Sequence, residues 1–170
     1  MKRFFFLLCM AFCLLTAKAQ FYAGGSFAFT HDDNSDLTTF MIAPEIGYNL
    51  NDQWAVAAEL GFSHYSAHDV SANAFHFAPY ARWNFFSKGI VRLFLDGGMG
   101  ISTSKIEDQD RDNGFEIGIK PGIALDLNQH FSFITKYGFV GFRDNYRYNN
   151  SVSGISASSE DLSFGFIYTF

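Results

Sequence analysis

"MIAPEIGYNLNDQWAVAAELGF", residues 41–62, decides the fold. Taken two at a time, its first half sets Ile42, Pro44, Ile46 and Tyr48 on one face against Met41, Ala43, Glu45 and Gly47 on the other. After a polar break around Asp52 the same division returns, with Trp54, Val56, Ala58, Leu60 and Phe62 against Ala55, Ala57, Glu59 and Gly61. Successive side chains of a strand point to opposite faces, so this is a strand, a tight turn and a strand, each with one large apolar face and one small or polar face. The polar faces hold two acids, Glu45 and Glu59, placed symmetrically about Asp52. They can be a catalytic pair, a cation site or part of an ion-pair network.

Six further runs repeat the pattern, covering about 21–30, 75–85, 91–101, 115–126, 131–142 and 162–170. Phe21, Phe27 and Phe29 open the series on the apolar face, and Phe164, Phe166, Tyr168 and Phe170 close it. In the seventh run the spacing puts Phe131, Phe133, Tyr137 and Phe139 on that face against Ser132, Lys136 and Gly138. Eight strands is an even number, as a closed antiparallel meander needs for both termini to lie at one end. The connections alternate between long polar stretches (31–38, 66–74, 103–114 and 143–160) and tight turns near 50–53, 86–90 and 127–130.

A soluble barrel points its large apolar residues inward and carries its charge outside. Here the small and polar face has too little volume and too many charges to be a soluble core, while aromatics make up 19% of the chain. A barrel with its apolar face toward lipid and its polar face toward the lumen satisfies both halves of the pattern. The mid-strand charges all fall in the polar register, and an Arg or Lys on the lipid face near the bilayer midplane would cost about 2–4 kcal/mol. Pro44, Pro79 and Pro121 fall mid-strand, where each removes a ladder donor, so bulges or missing ladder bonds are expected there. Aromatics gather at the ends of the apolar face. Tyr48, Trp54, Trp83, Phe85, Phe131, Tyr168 and Phe170 form a girdle near the short turns, and Phe29, Phe40, Phe62, Phe75, Phe115 and Phe139 a second near the long connections.

The N-terminus has the layout of a cleavable export signal: Lys2 and Arg3, then the apolar run "FFFLLCMAFCLL" (4–15), then Ala17-x-Ala19 before Gln20. The expected division is a signal at 1–19 and one barrel domain at 20–170. Cys9 and Cys13 both lie in the signal, neither in a lipid-attachment context, so no disulfide is expected. The 12 basic residues include Lys2, Arg3 and Lys18, which leaves nine against 17 acids and a net charge of about −8. That balance excludes nucleic acid as a charge-driven partner.

With these residues in place the chain resembles the small eight-stranded outer-membrane barrels of the OmpA/OmpX type, the porin-like outer membrane β-barrel domain proteins. The resemblance covers about 21–170. Its most specific piece is the ending "LSFGFIYTF" (162–170), which looks like the C-terminal signal read by the outer-membrane assembly machinery. It implies insertion by that machinery through Phe170, both termini in the periplasm, long loops outside, contact with outer-membrane lipids and lipopolysaccharide, and no cofactor. A monomer is expected.

Six charged residues fall at similar depth on successive polar faces: Glu45, Glu59, Arg82, Asp96, Lys120 and Lys136. Arg92 and Asp126 extend the set toward the short-turn rim. Three acids and three bases sum to zero, as a water-poor interior requires. The favoured reading is a structural plug, with a narrow or gated pore as the alternative and no enzyme activity expected. "DQDRDNG" (108–114) places Asp108, Asp110 and Asp112 like the start of a calcium loop, but Gly114 comes one place late and Ile119 stands where a closing Glu belongs, so only weak divalent binding is in view. His64 and Ser66 share the outward face, as in the His-x-Ser of outer-membrane lipid A deacylases, but the downstream acid of those enzymes is missing from "NAFHFAP" (73–79). The last stretch, 143–160, is rich in Tyr, Asn and Ser, a composition suited to adhesion or recognition.

Overall fold

A computed structural model describes residues 20–32, 37–67, 70–106, 111–147 and 150–170, so the signal expected at 1–19 lies outside the described residues. The strands are β1 (Gln20–Asp32), β2 (Leu37–Asn49), β3 (Trp54–Ala67), β4 (Val70–Lys88), β5 (Val91–Ile106), β6 (Arg111–Asp126), β7 (Phe131–Lys136), β8 (Phe139–Tyr146), β9 (Asn150–Ser156) and β10 (Ser163–Thr169). Every ladder is antiparallel, and β1 to β6 pair in sequence order around the sheet. Segments β7 and β8 lie end to end along β6, and β9 and β10 follow as the last stave, so ten segments build eight staves. The barrel closes where β1 meets β10, with Tyr22–Phe27 against Thr169–Phe164. Closure leaves backbone groups paired around the wall, which lipid demands because it offers no hydrogen bonds.

The alternation sorts as the side chains dictate. Phe21, Phe29, Ile46, Leu60, Phe75 and Ile101 point outward and are exposed, Phe29 by 71% and Ile46 by 70%. An apolar surface that continuous is far beyond what a soluble monomer carries. Large lumen rings lie on glycines of the neighbouring strand: Tyr22 on Gly47, His76 on Gly61 and Phe94 on Gly122. That is how a face rich in small residues still fills its interior. Two short turns repeat one device, an Asn whose Oδ1 accepts two backbone N–H groups: Asn51 from Gln53 and Trp54, both at 2.9 Å, and Asn128 from His130 and Phe131, both at 2.8 Å. Near this rim Trp54 stacks on Trp83 at 5.9 Å, Phe21 meets Tyr48 edge-on at 4.8 Å, and Tyr168 meets Phe170 at 5.2 Å. Phe85 packs against Trp83, and Phe131 against Tyr168.

The prolines interrupt ladders as proline chemistry requires. Between β2 and β3 the pairing skips from Ile42–Phe62 to Glu45–Glu59 across Pro44, and between β4 and β5 from Phe77–Ile101 to Tyr80–Gly98 across Pro79, with the register unchanged. Pro121 stands where its partner stave breaks between β7 and β8, and its carbonyl accepts the Tyr137 N–H at 3.1 Å. A bulge absent from the sequence pattern shifts the β4–β5 register between Asn84 and Phe86.

Two expectations are corrected. Phe139 does not face lipid: the break at Tyr137–Gly138, with Gly138 at φ 90°, inserts a residue and reverses the parity. Phe139 is thus buried in the lumen while Val140 and Phe142 face outward. The long connections are largely strand, since β4 alone runs 19 residues and 143–160 contains the end of β8, all of β9 and a single 3₁₀ turn at Ser159–Asp161.

Candidate functional site

The lumen charges form three tiers. In the central one, Glu45 and Glu59 are direct cross-strand partners of the β2–β3 ladder, and Lys136 of β7 reaches both, its Nζ 3.3 Å from Glu45 Oε2 and 3.4 Å from Glu59 Oε2. The same ammonium lies 3.5 Å from Asp96 Oδ2. Arg82, the cross-strand partner of Asp96, grips it with both prongs of its fork, Nε to Oδ1 at 2.7 Å and Nη2 to Oδ2 at 2.8 Å. Two parallel charge-assisted bonds are the strong form of this pair. The guanidinium lies 4.1 Å from the Phe94 ring centre, and Tyr80 accepts from Arg82 at 3.3 Å and donates to Glu45 at 2.9 Å. His76 Nε2 sits 3.0 Å from Glu59 Oε1.

A second tier centres on Glu116, which takes Lys120 at 2.5 Å and Arg143 Nε at 2.8 Å. Arg143 passes on to Asp161 Oδ1 at 2.7 Å while its guanidinium covers Phe139 at 3.9 Å. The third tier, at the short-turn rim, joins Arg92 to Asp126 at 2.8 Å with Ser132 donating to the same oxygen at 2.7 Å. All eight residues singled out by register therefore project into the lumen, but Lys120 leans along β6 to Glu116 instead of joining the central acids. Glu116, Arg143, Asp161, His76 and Tyr80 were not selected from the sequence. Glu116 was open to discovery by the same register, four residues before Lys120, whereas Arg143 lay beyond a hidden parity change.

With three acids against Lys136 and Arg82, the central tier carries one excess negative charge; Glu116 and Asp161 face Lys120, Arg143 and the Tyr146-stacked Arg147, one excess positive. The tiers neutralise each other. Two voids beside Glu59 and Lys136 measure about 30 Å³ each. That is room for a water or two and not for a hydrated ion.

The other two candidates fare differently. Asp112 and Gly114 lie in β6, in extended backbone that cannot wrap a cation as a calcium loop does, and Asp108 and Asp110 lie outside the described residues. His64 Nδ1 meets Asn73 Oδ1 at 2.8 Å. An amide cannot balance an imidazolium as a carboxylate does, so the acyl-hydrolase alternative loses its support.

Comparison with known proteins agrees with this geometry. The family model described as "Outer membrane protein beta-barrel domain" matches residues 4–170. Neisserial surface protein A is 14% identical, with a TM-score of 0.58 over 89% of this chain and 97% of that one. The Yersinia pestis outer membrane protein Ail in a phospholipid bilayer nanodisc is 12% identical, with a TM-score of 0.53 over 89% of this chain and 98% of that one. At such identities the likeness concerns the fold alone. No curated protein matches the chain.

Proposed function

The chain belongs to the outer membrane protein β-barrel domain family, and on that premise we propose that it is a non-conducting envelope barrel: a lumen closed by paired charges, an apolar belt in the bilayer, and hairpins displayed beyond it. The observation that carries this reading is Lys136 held among Glu45, Glu59 and Asp96. Moving an ion past that cluster would require breaking several buried pairs at once, and removing one partner of a buried pair costs about 3–5 kcal/mol. The test is single-channel recording in planar bilayers with the refolded full chain. No conductance steps are expected, and regular steps at modest voltage would install the narrow-pore alternative.

Two parts of the reading concern placement. The termini and short turns face the periplasm and the long-strand rim faces outward, with Phe170 offered to the assembly machinery. A second reading, surface recognition, is favoured by strand length: β4 has 19 residues, against the roughly 9–11 that a tilted strand needs to cross a bilayer. The surplus makes stiff hairpins at the outer rim, a geometry suited to presenting side chains to a partner. Replacing the rim hairpins one at a time and scoring binding on glycan and protein arrays tests it. Loss confined to one replacement is the expected result, and undiminished binding by every replacement removes the reading.

A further inference from the structure

The β1–β10 ladder that closes the barrel ends at Phe27 and Phe164, while β1 runs on to Asp32. Beyond Phe27 its neighbour in the wall is β9, which pairs with β8 and with no other described strand. The wall is therefore unzipped between residues 28–32 and β9. The connection at 157–162 straps the foot of this gap: the Ala157 carbonyl accepts from the Tyr137 hydroxyl at 2.9 Å, and Asp161 holds Arg143 at 2.7 Å. The lips of the gap are apolar, Phe29 on β1 and Ile155 on β9, and at 81% Ile155 is the most exposed large apolar side chain described. A tilted strand crosses a bilayer in about 9–11 residues, so from Phe21 the far boundary falls at about residue 30. The gap opens at the level where a lipid passes from apolar to polar.

Behind the foot of the gap lies one of the two lumen voids of about 30 Å³, whose lining joins Ser26 of β1, Ser163 of β10 and Asp161 of the strap to Lys120, Arg143 and Arg147. The acids of that lining, Glu59 and Asp161, are already held by Lys136 and Arg143. Lys120 and Arg143 are held in turn by Glu116. Arg147 is the exception. Its guanidinium stacks on Tyr146 at 5.4 Å, and its Nε is buried with no hydrogen-bond partner, as is the Tyr146 hydroxyl. The backbone is strained to bring it here: among the described residues only Asn145, at φ 48°, and Arg147, at φ 65°, have positive φ without being glycine. The Arg147 N–H is then anchored on Ser102 Oγ at 2.7 Å. A guanidinium can only donate, so a buried one without an acceptor leaves a place for an anion.

We propose that the gap and the void together bind a single-chain fatty acid, its carboxylate in the void on Arg147 and its chain leaving through the wall between Phe29 and Ile155 into the bilayer. The two oxygens of a carboxylate take the room of two waters, which is what the void offers, and they match the fork of a guanidinium. Ser26 and Ser163 bring hydroxyl donors to the same lining. A sugar or a glycerophosphate head exceeds the void, while a lone methylene chain passes where ladder rungs are missing. The site goes beyond the envelope-barrel reading and leaves the plug beneath it intact, since Lys136 keeps its three acids.

The test uses the full chain refolded into phosphatidylcholine nanodiscs, with palmitic acid carrying a mid-chain diazirine as the probe. After photolysis, peptide mapping by mass spectrometry is expected to place the adducts on 27–32 and 150–162, and adducts spread evenly around the lipid-facing belt overturn the proposal. Native mass spectrometry reads retention. The wild type and Lys88→Gln are expected to retain the probe, and Arg147→Gln to lose roughly tenfold or more while running as a folded barrel by heat-modifiable mobility. Equal retention by Arg147→Gln overturns the proposal, as does equal retention by the wild type of the probe's methyl ester or of lysophosphatidylglycerol. Glu107, Asp108, Asp110 and the Glu160 side chain lie outside the described residues. Replacing all four by their amides is expected to leave retention within about twofold, as for solvated charges. A tenfold rise would mean that Arg147 already has an acid of its own, and overturns the site. Should Arg147→Gln fail to fold, the adduct map of the wild type decides by itself.

Discussion

Glu45 and Glu59 face each other directly across the β2–β3 ladder and share a single ammonium, that of Lys136. Two carboxylates so placed repel unless a cation lies between them, and the cation comes from β7, 91 residues further along the chain from Glu45. Replacing Lys136 with Met would leave Glu45, Glu59 and Asp96 with Arg82 as their near cation. The expected loss is about 3–5 kcal/mol in the urea-unfolding free energy of the refolded barrel. Adding Glu59→Gln removes one of the stranded charges and should recover a large part of that loss. A double variant no more stable than Lys136→Met alone would mean that the acids are not held by this cation.

Gly47 and Gly122 are spaces as much as residues. A Cβ on Gly47 would overlap the Tyr22 ring, and one on Gly122 the Phe94 ring, whereas one on Gly97 meets nothing within 4 Å. Overpacking of this kind costs about 1–3 kcal/mol. Gly47→Ala and Gly122→Ala should each lower stability by that amount in the same urea assay, with Gly97→Ala within about 0.5 kcal/mol of wild type. Shortening Tyr22 to Leu should relieve Gly47→Ala and leave Gly122→Ala unrelieved.

Much of the architecture is written in the period-two pattern because lipid on one side and a charged lumen on the other constrain each residue in turn. Glu45 and Asp96 are found by parity alone. The pattern fades where strands leave the bilayer: His64, Asn73 and Lys105 occupy the outward face of regular strands, yet beside water that face is polar and reads as loop. Parity also says nothing of how a side chain leans, so Lys120 could not be given to Glu116 in preference to Asp96, its backbone partner. Nor does it register an inserted residue, so a reading carried through Gly138 put Phe139 on the wrong side.

Asp161 ties the 3₁₀ turn to the wall. It takes Arg143 at 2.7 Å and the hydroxyls of Ser156 and Ser158 at 2.5 and 3.2 Å, and its carboxylate is almost fully buried. Asp161→Asn keeps the shape and removes the charge. Since hydrogen bonds to charged groups contribute about 1.5–3 kcal/mol, a local loosening of that order is expected. Hydrogen exchange followed by mass spectrometry should then show faster exchange in 150–161 with 91–106 unchanged. Uniform acceleration across both segments would indicate global destabilisation instead.

Gly138 sets the parity of its stave as far as Arg143. It sits at φ 90° in the break between β7 and β8, beyond which Phe139 and Arg143 turn inward and Val140 and Phe142 outward, until a second irregularity between Arg143 and Tyr146. Deleting this one residue while keeping the strand pairing would exchange those two faces. Arg143 would leave Glu116 and Asp161 and enter lipid at a cost of about 2–4 kcal/mol if near the midplane, Asp161 would lose its cation and Glu116 would keep only Lys120. The deletion is therefore expected to abolish heat-modifiable folding on gels. Gly138→Ala keeps the residue count, strains the backbone by about 1–3 kcal/mol and brings a Cβ to 3.3 Å from the Ser156 carbonyl oxygen, so it should fold with reduced stability. A deletion variant that folds as well as Gly138→Ala would show that the stave can shift to absorb the missing residue, and that its parity is set elsewhere.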